Sequence, residues 1–98
     1  MIMNTVLQEK RRIDFMLEKY EAVLDSLPKG SLSERKVNGK TYYYLKYRDG
    51  NKVVSKYIPR EQAEETRSLI EKRRHTETLI ASLSEERALA NRILGGAV

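Results

Sequence analysis

The sequence predicts an α+β protein, in which a three-stranded antiparallel β-meander is inserted between the two helices of an antiparallel, coiled-coil-like pair. Three observations predict this fold. Apolar residues recur at helical spacing on both sides of residues 31–58, two turn dipeptides divide that central segment, and Pro28 and Pro59 bound it. With 98 residues, the chain is long enough for one small domain, 1–98.

The first helix is predicted over residues 4–27. Its apolar residues fall at spacings of three, four and seven, which places them in one stripe. They are Val6, Ile13, Met16, Leu17, Tyr20, Val23, Leu24 and Leu27. Asn4 or Thr5 can cap its start, and Pro28 followed by Gly30 ends it, because proline cannot continue the hydrogen-bond ladder.

The meander is predicted over residues 31–58, with strands at 31–37, 41–48 and 52–58. Asn38-Gly39 and Asp49-Gly50 join the strands, and both dipeptides accept the positive φ angles of tight hairpin turns. With two-residue loops, one face of the sheet would hold Leu32 opposite Leu45 and Leu45 opposite Val54. Tyr43, Tyr47 and Ile58 would complete this face, which we expect to be the core surface.

The opposite face of the sheet is the expected binding surface. Its predicted members are Arg35, Val37, Tyr42, Tyr44, Lys46, Arg48, Val53 and Tyr57. A register error of one residue would exchange the two faces, since side chains alternate along a strand.

The second helix is predicted over residues 60–94. Pro59 suits a helix start, and a seam of heptad-like spacing follows it, while Ser84 could instead begin a separate short helix. An unbroken helix would be about 50 Å long and would overhang the first helix by roughly ten residues. The overhang, with Leu89, Ile93 and Leu94, favours a homodimer formed through the helices.

Positive charge is concentrated in the central segment. Residues 29–60 contain nine Lys and Arg against Glu34 and Asp49, a local net charge of +7, whereas residues 1–28 and 61–98 each carry −1. Five of the six tyrosines lie in the same segment. Charge confined to one small element indicates an anionic partner, most often nucleic acid.

Other classes of function find little support in the sequence. The chain has no cysteine and one histidine, His75, so no thiolate or histidine-rich metal site is expected, and no cofactor is predicted. No acid-base pair or activated nucleophile is evident, so we predict a protein that is not an enzyme. No apolar run is long enough for a membrane span, which favours a cytoplasmic protein without a membrane partner.

The run from Gly30 to Glu65, with NGK, YYYLKYRDG and SKYIP before a helix opening REQAEE, resembles the N-terminal arm-binding domain of tyrosine-family phage and transposon integrases. Plant ethylene-response domains are similar. This resemblance implies a three-stranded sheet that enters the major groove of DNA with a helix packed behind it. The run also resembles small proteins of Gram-positive bacteria and their mobile elements, which bring no established activity. The sequence departs from the integrases in its preceding helix and in showing no recombinase catalytic domain, so recombination itself is not expected.

The leading hypothesis is therefore a small DNA-binding or other nucleic-acid-binding accessory protein of mobile-element origin. Its predicted contact residues are Arg35, Tyr42, Tyr44, Lys46, Arg48 and Tyr57, with secondary basic contacts from Lys36, Lys40, Lys52 and Lys56. Duplex DNA or a nucleoprotein complex is the expected partner. The alternative is a protein-interaction module, such as a phage-encoded inhibitor that docks on a nucleoprotein enzyme through the sheet or the helix pair.

Overall fold

In the order of the chain, a three-stranded antiparallel sheet lies between two helices. The computed structural model describes residues 2–96. Its elements are α1 (Ile2–Asp25), β1 (Ser31–Val37), β2 (Lys40–Asp49), β3 (Lys52–Ile58) and α2 (Arg60–Gly96). The strand order is β1-β2-β3, so the predicted α+β class is confirmed. Helix α2 continues without interruption through Ser84.

Ser26 provides hydrogen bonds to a carbonyl group at the end of α1. Its backbone N–H and hydroxyl both donate to the Val23 carbonyl, at 3.1 and 2.7 Å. Carbonyl groups at a helix end need such partners. Beyond the helix, the Arg73 guanidinium donates to the Leu27 carbonyl at 2.9 Å. Arg73 is therefore part of the fold rather than a free surface cation.

Gly30 leads from α1 into β1 at a point where no side chain fits. Its φ is +103°, and a Cβ there would lie 2.0 Å from the Lys46 carbonyl oxygen and 2.9 Å from the Tyr47 Cβ. The positive φ alone favours glycine. The approach to the β2 backbone makes glycine a steric requirement as well.

The first hairpin has the predicted register. Val37 pairs with Lys40 across a two-residue loop, and Leu32 pairs with Leu45. Asn38 and Gly39 have φ values of +51° and +78°. Two successive residues with positive φ are typical of a type I′ turn, whose twist matches that of the strands it joins.

The second hairpin turns one residue later than predicted. Asp49 pairs with Lys52, so Gly50 and Asn51 form the loop, and Gly50 has a φ of +61°. Glycine at the first loop position is typical of a type II′ turn. The predicted Leu45–Val54 pair is therefore wrong, because Leu45 lies opposite Lys56 and Tyr47 lies opposite Val54.

This correction leaves the predicted faces intact. Moving a two-residue loop along the chain by one residue shifts each cross-strand partner by two. Because side chains alternate with a period of two, every residue stays on its original face. Val54 therefore shares a face with Leu45, as predicted, although the two residues are not directly paired.

Residues Leu27–Arg74 form one of two compact units in the chain. Its core contains Leu45, Ile58 and Ile70, with Leu32, Tyr43 and Tyr47 packed against them. The Arg67 guanidinium also binds the Glu34 carboxylate at 3.2 Å. The first turns of α2 thus cover the apolar face of the sheet, which provides the cover that an isolated three-stranded sheet needs.

The other unit contains α1 and the part of α2 from His75 onward. Ile13 and Leu17 of α1 pack against Leu83 of α2, and Met16, Tyr20 and Ile80 surround this cluster. Arg87 lies 3.9 Å from Asp14. Early residues of α1 therefore lie beside late residues of α2, and the pair is antiparallel.

The extra length of α2 lies at its first turns, not at its last. Leu89 and Ile93 lie beside Val6 and Ile13 of α1, whereas the segment of α2 before His75 belongs to the unit with the sheet. The predicted overhang is therefore wrong, because the sheet occupies the additional turns. The homodimer that it favoured stays a prediction.

We expect Gly30→Ala to lower the free energy of unfolding by about 3 kcal/mol or more, because the added methyl group meets the Lys46 carbonyl. Gly39→Ala is the matched control. Its φ is also positive, but nothing lies within 4 Å of the added Cβ, so only the backbone cost of about 1–2 kcal/mol applies. Urea unfolding of both variants measures the difference, and equal losses would contradict the steric role.

Ile70→Ala should remove about 2–5 kcal/mol, because Ile70 is 4% exposed and contacts the apolar face of the sheet. The neighbouring Leu69 is 36% exposed, and Leu69→Ala should cost about 1 kcal/mol or less. Urea unfolding monitored by circular dichroism compares the two variants. If Leu69→Ala proved the more damaging, α2 would pack on the sheet through a different side.

Candidate nucleic-acid interface

The register divides the strand residues between two faces. The inner face contains Leu45 and Ile58 and is covered by α2. The outer face comprises Ser31, Ser33, Arg35, Val37, Lys40, Tyr42, Tyr44, Lys46, Arg48, Val53, Ser55 and Tyr57. All six predicted contact residues lie on this outer face. The alternation of the strands therefore brings them together as the sequence predicted.

The four predicted secondary contacts do not stay together. Lys40 lies on the outer face, at the first position of β2. Lys36, Lys52 and Lys56 alternate onto the inner face, where Lys56 lies opposite Leu45. The four lysines lie in the same segment of sequence but on two different faces of the sheet. A count of charge along the chain cannot separate the two faces.

Charge is sorted between the two faces of the sheet. The outer face carries four cations, Arg35, Lys40, Lys46 and Arg48, and no carboxylate, because Glu34 and Asp49 both alternate onto the inner face. Glu34 is bound there by Arg67. Within residues 2–96, none of the ion pairs includes a cation of the outer face. These cations remain available to an external anion.

Three tyrosines form a ridge in the middle of the outer face. Tyr44 and Tyr57 are a direct cross-strand pair, with ring centroids 5.9 Å apart and ring planes at 68°. Tyr42 contacts Tyr57 from the diagonal position, at 6.5 Å and 52°. Tyr57 is 53% exposed. Tilted and edge-to-face contacts of this kind are the favoured arrangements of aromatic pairs, and we call the three rings the tyrosine ridge.

A shallow hollow lies on each side of the tyrosine ridge. The β1-side hollow crosses all three strands and is lined by Ser33, Arg35, Tyr44, Lys46, Val53 and Ser55. The α2-side hollow, at the other end of the sheet, is lined by Gly39, Lys40, Thr41, Tyr42, Tyr43, Tyr57 and Arg60. Thr41 and Tyr43 alternate onto the inner face, so this hollow lies at the edge of β2 rather than wholly on the outer face. Neither lining contains a carboxylate. Both hollows combine cations with hydroxyl groups, which are the donors that bind phosphate oxygens.

Arg60 is the residue of this surface that the sequence prediction missed. It is the first residue of α2, so the period of two that assigns strand residues to a face does not extend to it. The available signal was its position. Only Pro59 separates Arg60 from Ile58, the last residue of β3. A cation at this position lies at the end of the sheet, whichever direction the next helix takes.

The helix-pair unit contains a different kind of concave surface. An apolar groove is lined by Thr5, Val6, Glu9, Ile13, Glu86, Leu89, Ala90 and Ile93. At its rim, Arg12 donates to the Glu9 carboxylate at 2.9 Å. This hydrogen bond holds the pKa of Glu9 below its ordinary value and raises the pKa of Arg12. The groove offers few polar groups to a charged ligand.

The described part of the chain contains neither a candidate metal site nor a candidate membrane span. Residues 2–96 contain no cluster of three or more His, Cys, Asp or Glu side chains placed to hold a metal ion. Neither helix, over the same residues, has a stretch that is long and apolar enough to cross a membrane.

Residues 6–68 match a protein family described as a domain of unknown function, DUF6788. The chain belongs to this family. The DUF6788 match begins within α1, includes the whole sheet and ends in the first turns of α2. No curated protein and no solved structure matches the chain. The outer face and Arg60 thus lie entirely inside the DUF6788 region.

Replacing Tyr57 with alanine should lower the free energy of unfolding by about 1–2 kcal/mol, because both ring contacts of the tyrosine ridge are lost. Tyr57→Phe keeps the rings and should stay within about 0.5 kcal/mol of the wild type. Val53→Ala, at a 68% exposed position of the same strand and face, is the control for a loss of exposed surface. A Tyr57→Ala loss no larger than that of Val53→Ala would show that the ring contacts do not stabilise the sheet.

Proposed function

We propose that this DUF6788 protein is a small, non-enzymatic DNA-binding or other nucleic-acid-binding accessory protein, of mobile-element origin, which binds through the outer face of its sheet. One observation carries the proposal: four cations and no carboxylate occupy that face, while both carboxylates of the strands lie on the other. Binding DNA in the cell would place the protein in the cytoplasm.

The arrangement of the cations supports a phosphate-bearing partner. Exposed cations on a sheet can also serve only to discourage edge-to-edge pairing, and lysines at strand edges are typical of that use. Such a device needs no exclusion of carboxylates from one face. Here the inner face accommodates Glu34 through Arg67, whereas the outer face carries Arg35, Lys46 and Arg48 without any opposing charge. A surface with a single sign of charge attracts a polyanion.

The tyrosine ridge adds a second kind of contact at the centre of the same face. Nucleic acids are bound through phosphates, which position the protein, and through bases and sugars, which aromatic and hydroxyl groups can reach. Tyr57 presents both its ring and its hydroxyl at an exposed position, flanked by Tyr42 and Tyr44. The outer face therefore combines the two chemistries that a nucleic-acid surface requires.

The test is a salt titration of binding to labelled duplex DNA, for the wild type and the triple variant Arg35→Gln, Lys46→Gln, Arg48→Gln. We expect the wild type to bind with an affinity that falls steeply as salt rises. The triple variant should lose binding at moderate salt. If each residue neutralises one phosphate, the slope of log K against log salt should be smaller by about 2.7.

The sheet itself provides the matched control, Lys36→Gln, Lys52→Gln, Lys56→Gln. These three residues lie on the inner face, so the variant removes the same charge from the other side of the same sheet. Its slope should remain close to that of the wild type. Absence of wild-type binding to duplex or single-stranded DNA at low salt would overturn the proposal, and so would equal losses in the two triple variants.

A further inference from the structure

Helix α2 carries two seams of coiled-coil spacing side by side. The first seam faces α1 and includes the buried residues Thr76, Leu83 and Ala90. A second seam begins one residue earlier and repeats at alternating spacings of four and three residues. Its members are His75, Leu79, Ser82, Glu86, Leu89 and Ile93. A repeat of this spacing, with apolar residues at both ends, is typical of a helix that packs against a further helix.

The second seam ends in the apolar groove of the helix-pair unit. Leu89 and Ile93 line that groove, and their side chains are 52% and 42% exposed. Thr5 and Val6 of α1 continue the same surface on the other side of the groove. Large apolar side chains grouped on one side of a protein mark an interaction surface. The groove and the second seam therefore form one continuous surface that extends over both helices.

Charges at the rim of this surface nearly cancel. The Arg12 guanidinium binds the Glu9 carboxylate at 2.9 Å. The Glu9 carboxylate, and to a smaller extent the Glu86 carboxylate, raises the pKa of Arg12. The rim thus offers one guanidinium to two carboxylates. A strongly charged partner gains little from such a surface, whereas a second copy of it meets no large excess of like charge.

The second seam is complementary to itself when one copy is reversed. Placing Ser82 opposite Glu86 of a second copy gives a regular antiparallel ladder, whose other pairs are Leu79 with Leu89 and His75 with Ile93. A serine hydroxyl can donate to a carboxylate, so Glu86 gains a hydrogen-bond partner. A parallel alignment would instead place two Glu86 carboxylates opposite each other, where like charges repel. The seam therefore favours an antiparallel pair of α2 helices.

The surface is large enough for a specific interface. Residues 75–93 extend over about 27 Å of helix, and two helices side by side are roughly 20 Å wide. A contact over this whole side covers roughly 540 Å² on each copy, or about 1,100 Å² in total. Specific interfaces begin at about 1,000 Å². A two-fold axis uses the same surface twice, so no additional partner surface is required.

We propose that the second seam and the adjoining groove are the surface through which two copies of this chain associate, with their α2 helices antiparallel. This interface goes beyond the proposed function and does not depend on it, because no residue of the outer face takes part. It assigns the homodimer to the side of α2 next to the groove, instead of to an overhanging end of the helix.

The first test is sedimentation velocity of the full chain over a range of protein concentrations, without nucleic acid. We expect the wild type to form a dimer. Leu89→Glu with Ile93→Glu should raise the dissociation constant of the dimer by about 100-fold or more, because each copy would bring two carboxylates without partners into an apolar contact. The matched control is Leu7→Glu with Phe15→Glu, which alters exposed apolar residues of α1 outside the groove and should leave the dimer unchanged.

The second test uses disulfide formation and needs no loss of apolar surface. The chain has no cysteine, so every disulfide comes from the substitutions. A variant with Ser82→Cys is mixed with a variant with Glu86→Cys and oxidised by air. A disulfide needs Cα atoms within roughly 4.4–6.8 Å, which directly opposed positions allow and positions four residues out of register do not. We expect covalent dimers from the mixture and few from either variant alone.

Each alternative outcome overturns a stated part of the proposal. A wild type that stays monomeric at every concentration overturns the association and leaves the groove to a partner of another kind. A dimer that persists in Leu89→Glu with Ile93→Glu, verified as folded by circular dichroism, overturns the choice of surface. Covalent dimers from either cysteine variant alone overturn the antiparallel register. DNA binding is measured separately, so none of these outcomes decides the proposed function.

Discussion

The structure depends on two tight turns that fix how the three strands pair. Each hairpin has a two-residue loop. Such tight loops require positive φ angles, which Asn38, Gly39 and Gly50 adopt. Once the loops are set, alternation along the strands decides which side chains meet α2 and which face outward. The separation of apolar residues from cations, and of cations from carboxylates, follows from this single geometric constraint.

Packing on the inner face supplies the stability that the outer face does not. Leu45, Ile58 and Ile70 are buried together, and burial of such side chains contributes about 1.5–3 kcal/mol each. The Arg67–Glu34 pair lies at the surface, where an ion pair contributes about 0–1 kcal/mol. The pair joins β1 to α2 and provides the Glu34 carboxylate with a cation as its partner. The outer face can therefore carry a single sign of charge because the opposite face holds the sheet and α2 together.

Local signals predicted most of the fold and of the candidate site. Proline, glycine and apolar spacing located the elements closely, and the period of two assigned all six predicted contact residues to one face. Two errors arose where local signals end. The Asp-Gly dipeptide did not reveal that Asp49 would remain paired, and helix length did not reveal which end of α2 would lie against the sheet. Arg60 was missed for the same reason, since its position depends on tertiary structure rather than on strand periodicity.

The backbone geometry at Gly30 indicates which residue the relatives of this chain should conserve. Its Cβ position is occupied by the backbone of β2 at Lys46, a residue of the outer face. Relatives that keep this meander are therefore expected to keep glycine at the entrance of β1, whereas the open loop position at Gly39 can accept asparagine, which also adopts positive φ. An aligned set of such sequences would carry an invariant glycine there even if every cation of the outer face had diverged.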